Sequence, residues 1–122
     1  MKAIRHSANK VIVILIALAS LSVCQVHADT KVPSITIHAK RYEFMPSEIT
    51  LKQGQQVKLV FISNDVPHGI AIMDLGVSLD LRKNHPNQVI ITPDKVGTFE
   101  GVCSRYCGAG HDRMTFTVHV TP

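Results

Sequence analysis

The sequence predicts an all-β fold, a sandwich of two packed antiparallel sheets, on three observations. Apolar residues recur at every second position, turn-forming residues cut the chain at short intervals, and nothing after residue 29 carries a helical period. In chain order the alternating pairs and triplets are Ile35 and Ile37, Ile49 and Leu51, then Val57, Leu59 and Phe61. Ile70 and Ile72, Val89 and Ile91, and Phe116, Val118 and Val120 continue them. Period two places one face of each strand in a core, so these residues are the expected interior. Between them stand Pro46, Gly54, Asn64 with Asp65, Gly76, Asn84 to Pro86, Pro93 and Gly97, the residues that turns select. The least patterned stretch, Leu75 to Asn87, reads as a connecting loop. No internal repeat and no second domain are visible.

The first 28 residues read as an export signal. Lys2, Arg5 and Lys10 precede the uncharged run "VIVILIALASLSV", Val11 to Val23, and "VHA" at 26–28 offers a cleavage site after Ala28. Thirteen uncharged residues are fewer than the roughly 20 a spanning helix needs. An uncleaved segment anchoring the domain to the inner membrane is the alternative. A lipoprotein signal at Cys24 is disfavoured by bulky Val23. Residues 29–122 then form one small domain, destined for the periplasm or the cell exterior. Three of the 13 Lys/Arg lie in the leader, so the formal charge of +4 falls to +1 for the rest. The basic pI therefore gives no reason to expect a nucleic-acid partner.

The chemistry is concentrated in "CSRYCGAGHDRM", Cys103 to Met114, where two cysteines, a histidine and a methionine follow one another at intervals of four, four and three. Gly108 and Gly110 oppose a helix here, each costing about 1 kcal/mol relative to Ala. With "TFEGV" before it and "TFTVHV" after it, the segment reads as a loop joining the last two strands. His68, in "SNDVPHG", stands at another strand junction, and two loops at one end of a sandwich can converge. A disulfide accounts for Cys103 and Cys107 but not for the spacing of His111 and Met114. Zinc accepts thiolate and imidazole but has little use for a thioether. Thiolate, imidazole and thioether together are copper's donors, and copper is the favoured reading, with disulfide and zinc as rivals. His38, His85 and His119 read as surface or sheet histidines, and Met45 and Met73 as core or rim packing. Tyr106 lies inside the loop, either shielding the cluster or packed beneath it.

The same loop resembles the C-x3-C-x3-H-x2-M loop of the binuclear copper A (CuA) domain of haem-copper oxidase subunit II and nitrous oxide reductase. "YEFMPSEITLKQGQQVKLVFISNDVPHGI", residues 42–70, is similar to the cupredoxin stretch leading to the first histidine ligand. The resemblance implies a cupredoxin-like Greek-key sandwich in free-standing form. It implies two copper ions bridged by the Cys103 and Cys107 thiolates, each capped by His68 or His111. Met114 is then a weak ligand, and Arg105 binds by its backbone carbonyl only. Three departures qualify the oxidase role. Arg105 stands where oxidases carry a magnesium-binding glutamate, there is no tryptophan to accept electrons from cytochrome c, and the subunit's transmembrane helices are not found.

The expected function is an exported carrier of single electrons, without catalysis of its own, between redox partners such as a cytochrome or a terminal oxidase. The alternatives are a periplasmic chaperone delivering Cu(I) to an oxidase, and a mononuclear blue-copper carrier, which leaves one cysteine without a role. Arg105 is expected to point its guanidinium freely outward at the rim.

Overall fold

The computed structural model describes residues 30–122, so the export signal and anchor readings of residues 1–28 lie outside the described residues. Among the described residues nine strands build two sheets. They are β1 (Ser34–Lys40), β2 (Glu43–Met45), β3 (Glu48–Lys52), β4 (Val57–Ser63), β5 (His68–Ile72), β6 (Val77–Leu81), β7 (Asn87–Ile91), β8 (Gly97–Val102) and β9 (Thr115–Thr121). One sheet has the order β2-β1-β4-β7 and the other β3-β9-β8-β5-β6. Short 3-10 turns at Met73–Leu75 and His111–Arg113 are the remaining regular elements.

The alternating residues face inward as the pattern requires. In β4, Val57, Leu59 and Phe61 are buried while Lys58, Val60 and Ile62 are half-buried. Phe116 of β9 meets Phe44 and Phe61 edge-on, each at a centroid distance of 5.9 Å, and locks the two sheets together.

The all-β sandwich stands, with two corrections. The sheets are mixed rather than antiparallel, because β1 pairs with β4 and β3 with β9 in parallel. Period two reveals which face a residue presents but carries no information about strand direction. After the β1–β2 hairpin the chain crosses to the opposite sheet as β3 and returns as β4 beside β1, which enforces the parallel pair. The second correction is that the expected loop from Leu75 to Asn87 contains β6, which pairs with β5 from Ile72↔Val77 to His68↔Leu81. "VSLDL" does alternate, with Val77 and Leu81 buried, but the turn residues on both sides masked it.

This topology gathers three connections at one end. The β1–β2 turn, the β4–β5 loop and the β8–β9 loop meet there, tied by hydrogen bonds from Asn64 N to the Ala39 carbonyl and Ser104 N to the Gly69 carbonyl.

Candidate metal centre

The β8–β9 loop is closed at its base by the Cys103 N–H, which donates to the Met114 carbonyl at 3.0 Å. Its middle is tightened by bonds from His111 N to the Gly108 carbonyl and from Arg113 N to the Gly110 carbonyl, each 3.1 Å. Gly108 has φ +140°, and a Cβ there or on Gly110 would collide with the Tyr42 ring lying across the loop. That ring presses the loop against the end of the sandwich.

Inside the loop the donors converge. Cys103 Sγ and Cys107 Sγ are 3.7 Å apart, far longer than a disulfide of about 2.05 Å, and both cysteines are free and buried. His68 Nδ1 lies 3.8 Å from Cys103 Sγ, and His111 Nδ1 lies 3.9 Å from Cys107 Sγ. Met114 Sδ stands 3.9 Å from Cys107 Sγ, and the Arg105 carbonyl oxygen 3.1 Å from Cys103 Sγ. The ligand atoms of His68, Cys103 and Cys107 all lie within 4.8 Å of one another. Each histidine thus approaches a different sulfur. The structure brings together all six residues read from the sequence, and it realises no disulfide between the cysteines.

His68 is fully buried, and its orientation is fixed from behind. Its Nε2 donates to Asp65 Oδ1 at 2.8 Å, which leaves the Nδ1 lone pair facing the sulfurs. Burial works to raise the Asp65 pKa but is outweighed by hydrogen bonds from Arg41 N, His68 and Val66 N, so the carboxyl is held down at about 2. It is therefore ionised and able to hold His68 in this tautomer. Arg41 spans the gap between loops, donating its N–H to Asp65 Oδ2 at 2.7 Å and its Nε to the Cys107 carbonyl at 2.9 Å. The Cys107 thiol is pushed up to about 11 by burial first and then by the neighbouring Cys103 sulfur. Without metal, Cys107 therefore keeps its proton at neutral pH.

The remaining candidates sort clearly. His38, His85 and His119 stand apart from the cluster; His38 pairs with Asn64, and His119 bridges Thr98 and Glu48 on the sheet surface. Met45 is a rim residue, but Met73 is 78% exposed, so its reading as packing is corrected: it begins a surface 3-10 turn rather than extending β5. Tyr106 is 77% exposed with its ring 5.7 Å from that of His111, so it covers the cluster rather than packing beneath it. The Arg105 guanidinium is not free. It grips Asp80 of β6 through two bonds of 2.8 and 2.9 Å. Asp65, Arg41 and Tyr42 were not singled out as site residues from sequence. The one available signal was Asp65 three residues before His68, in the place of a carboxylate that orients a ligating histidine.

The cupredoxin-like domain family matches residues 11–118. The chain belongs to that family. Among similar proteins, the probable cytochrome c oxidase subunit 2 of Streptomyces coelicolor is 39% identical over 70 residues, 57% of this chain and 22% of its own length. Cytochrome c oxidase subunit 2 of Lycodon semicarinatus is 35% identical over 74 residues, 61% of this chain and 32% of its own. The chain thus spans between a fifth and a third of these curated relatives. In structure it resembles the periplasmic domain of cytochrome oxidase subunit II of Bradyrhizobium japonicum, with a TM-score of 0.68 at 20% identity over 73% of this chain and 83% of that one. It also resembles the metal-binding domain of the Cu(I)-exporting P-type ATPase of Streptococcus pneumoniae, with a TM-score of 0.60 at 18% identity over 73% and 85%. Both likenesses establish the cupredoxin-like fold.

The donor set of this cupredoxin-like domain fits copper: two sulfurs that become thiolates, two imidazole Nδ1 atoms, a thioether and a carbonyl, with His68, both cysteines and Met114 buried and His111 half-buried. Zinc would leave Met114 without a purpose. Among the described residues no helix is long and apolar enough to cross a membrane.

Proposed function

We propose that the protein is an exported cupredoxin that carries single electrons between redox proteins through a binuclear copper centre of CuA type. The thiolates of Cys103 and Cys107, the imidazoles of His68 and His111, the Met114 thioether and the Arg105 carbonyl would hold the two ions. Copper supplies the one-electron redox chemistry when bound. The observation that carries this reading is the pair of buried sulfurs 3.7 Å apart, each approached by Nδ1 of a different histidine. The chain's own residues hold that arrangement: Asp65 fixes His68, Arg41 fixes the Cys107 backbone, and Tyr42 presses on the glycines. A donor set held this firmly changes little on electron transfer, which keeps the reorganisation small.

A mononuclear blue-copper site would leave one buried thiol unexplained. A chaperone must surrender its ion to an acceptor, whereas Cys103, Cys107 and Met114 are only 4%, 5% and 1% exposed. That burial favours retention. Export to the periplasm is supported by the leader-like pattern of residues 1–28, and the similar Bradyrhizobium domain is periplasmic. A cytochrome or terminal oxidase is the class of partner this function requires. The test is copper counted per chain, with an electron paramagnetic resonance spectrum of the partly reduced protein. Two coppers with one unpaired electron coupled to both nuclei are expected; one copper with hyperfine structure from a single nucleus would refute the binuclear assignment.

A further inference from the structure

We propose that the end of the sandwich carrying the metal centre is a docking face for an acidic redox protein, an inference that rests on the electron-carrier reading above. The four arginines among the described residues, Arg41, Arg82, Arg105 and Arg113, all stand around the centre. Arg41 bonds the Cys107 carbonyl, Arg82 follows Leu81, the strand partner of His68, and Arg105 and Arg113 belong to the ligand loop. The opposite end, with Lys31, Lys52, Lys58, Lys95, Asp74 and Asp94, holds none of the arginines.

The acidic residues near the centre do little to offset this charge. Glu43 is paired with Lys40 at 3.0 Å, Asp80 with Arg105, and Asp65 turns to His68. Among the described residues neither Arg41, Arg82, Lys83 nor Arg113 enters an ion pair with a carboxylate, and Asp112 is the one acidic neighbour left. Arg41 and Arg105 flank a cleft of about 360 Å³ lined also by Val66, Pro67, Tyr106 and Gly108. A carboxylate side chain entering it meets the guanidinium of Arg41, which has no carboxylate partner among the described residues and whose planar shape suits carboxylates better than an ammonium does. Exposed Tyr106, one ring away from His111, supplies the aromatic anchor that such interfaces centre on. An aromatic anchor at the end that also carries Arg41, Arg82 and Arg113, none in an ion pair among the described residues, selects a partner whose docking face is acidic, because lysine-bearing surfaces are repelled at the same distance.

The test uses two forms of one protein: native cytochrome c, whose surface is rich in lysine, and succinylated cytochrome c, whose lysines carry carboxylates. Affinity is measured by amide NMR titration of the full chain as purified, with and without copper. Docking is thus read even where copper loading or electron transfer fails, and those failures count against the carrier reading alone. Succinylated cytochrome c is expected to bind at least about tenfold more tightly than the native form at low salt, with the preference fading as ionic strength rises. The shifted amides should include Arg41, Arg82, Tyr106 and Arg113. Arg82→Glu, which lies outside the ligand loop, and the double variant Arg82→Glu/Arg113→Glu should weaken binding progressively, by about tenfold for the pair. A preference for native cytochrome c, shifts confined to another face, or binding to phosphatidylglycerol vesicles without binding to succinylated cytochrome c would each overturn the proposal.

Discussion

Asp65→Asn is the most informative single change to the centre, because Asp65 serves both the fold and His68. Its carboxylate accepts three hydrogen bonds, from Arg41 N at 2.7 Å, Val66 N at 2.7 Å and His68 Nε2 at 2.8 Å. An amide keeps one acceptor oxygen and puts an NH2 where the other stood, so at least one donor loses its partner. A group held at about 2 against an ordinary 3.8 corresponds to about 2 kcal/mol. The side chain is 34% exposed, so solvent screening reduces this to about 1 kcal/mol. The sign follows from the depressed folded-state value: the stabilisation is present above pH 3.8 and is lost as pH falls toward 2. The asparagine variant should therefore be about 1 kcal/mol less stable at pH 7, and nearly equal to the parent at pH 2 in the reduced, metal-free form. Losing the carboxylate behind His68 should also weaken copper binding by about 10- to 100-fold, the range seen when partners behind ligating histidines are removed. Urea titrations across pH give the first quantity and competition with a Cu(I) chelator the second. Unchanged copper affinity together with an unchanged pH profile would refute the role assigned to Asp65.

Three further outcomes are expected. Cys107→Ser should leave at most one copper per chain, because one thiolate cannot compensate two cations in a desolvated loop; two tightly held coppers in that variant would end the bridging assignment. In the reduced, metal-free protein the raised Cys107 value stabilises the fold fully below pH 9.0, and that contribution disappears as pH climbs toward 11, so the melting temperature should fall over this window. Cys107→Ser should flatten the fall, and copper loading should be strongest where the thiols release protons readily and a reductant keeps them from oxidising to each other. Arg105→Ala should keep copper stoichiometry and spectrum, because the backbone carbonyl survives, and should cost less than about 1 kcal/mol for the exposed Asp80 pair. Copper loss in that variant, measured by metal analysis, would contradict a carbonyl-only role.

The donors were legible because chemistry and spacing are properties of the chain. Cys103, Cys107, His111 and Met114 lie within twelve residues, and the strands on either side pin the ends of their loop. His68 was legible for a different reason: its place at the start of a short strand, with Pro67 before it and Gly69 after it, marks a junction rather than a sheet interior. The parallel pairings of β1 with β4 and β3 with β9 were not legible, since alternation records faces and not neighbours. The supports were hidden for the same physical reason. Arg41 lies 66 positions from the Cys107 carbonyl it binds and Tyr42 as far from the glycines it covers, and only the sandwich closes that distance.

The glycines in the ligand loop carry this argument one step further. Gly110 is a buried residue under the Tyr42 ring, so a methyl group there must displace the ring or lift the loop. Lifting the loop moves His111, the next residue, while Cys103 stays anchored to Met114 at the loop base. Gly110→Ala should therefore separate the two histidine positions, loosening the His111 side and sparing the His68 side, whose support comes from Asp65 on another loop. In the reduced, metal-free protein this appears as new His111 ring resonances beside unchanged His68 resonances. Tyr42→Ala in the same chain removes the obstacle and should restore His111. Equal disturbance of both histidines would mean that the loop moves as one unit, and that Tyr42 does not set its position.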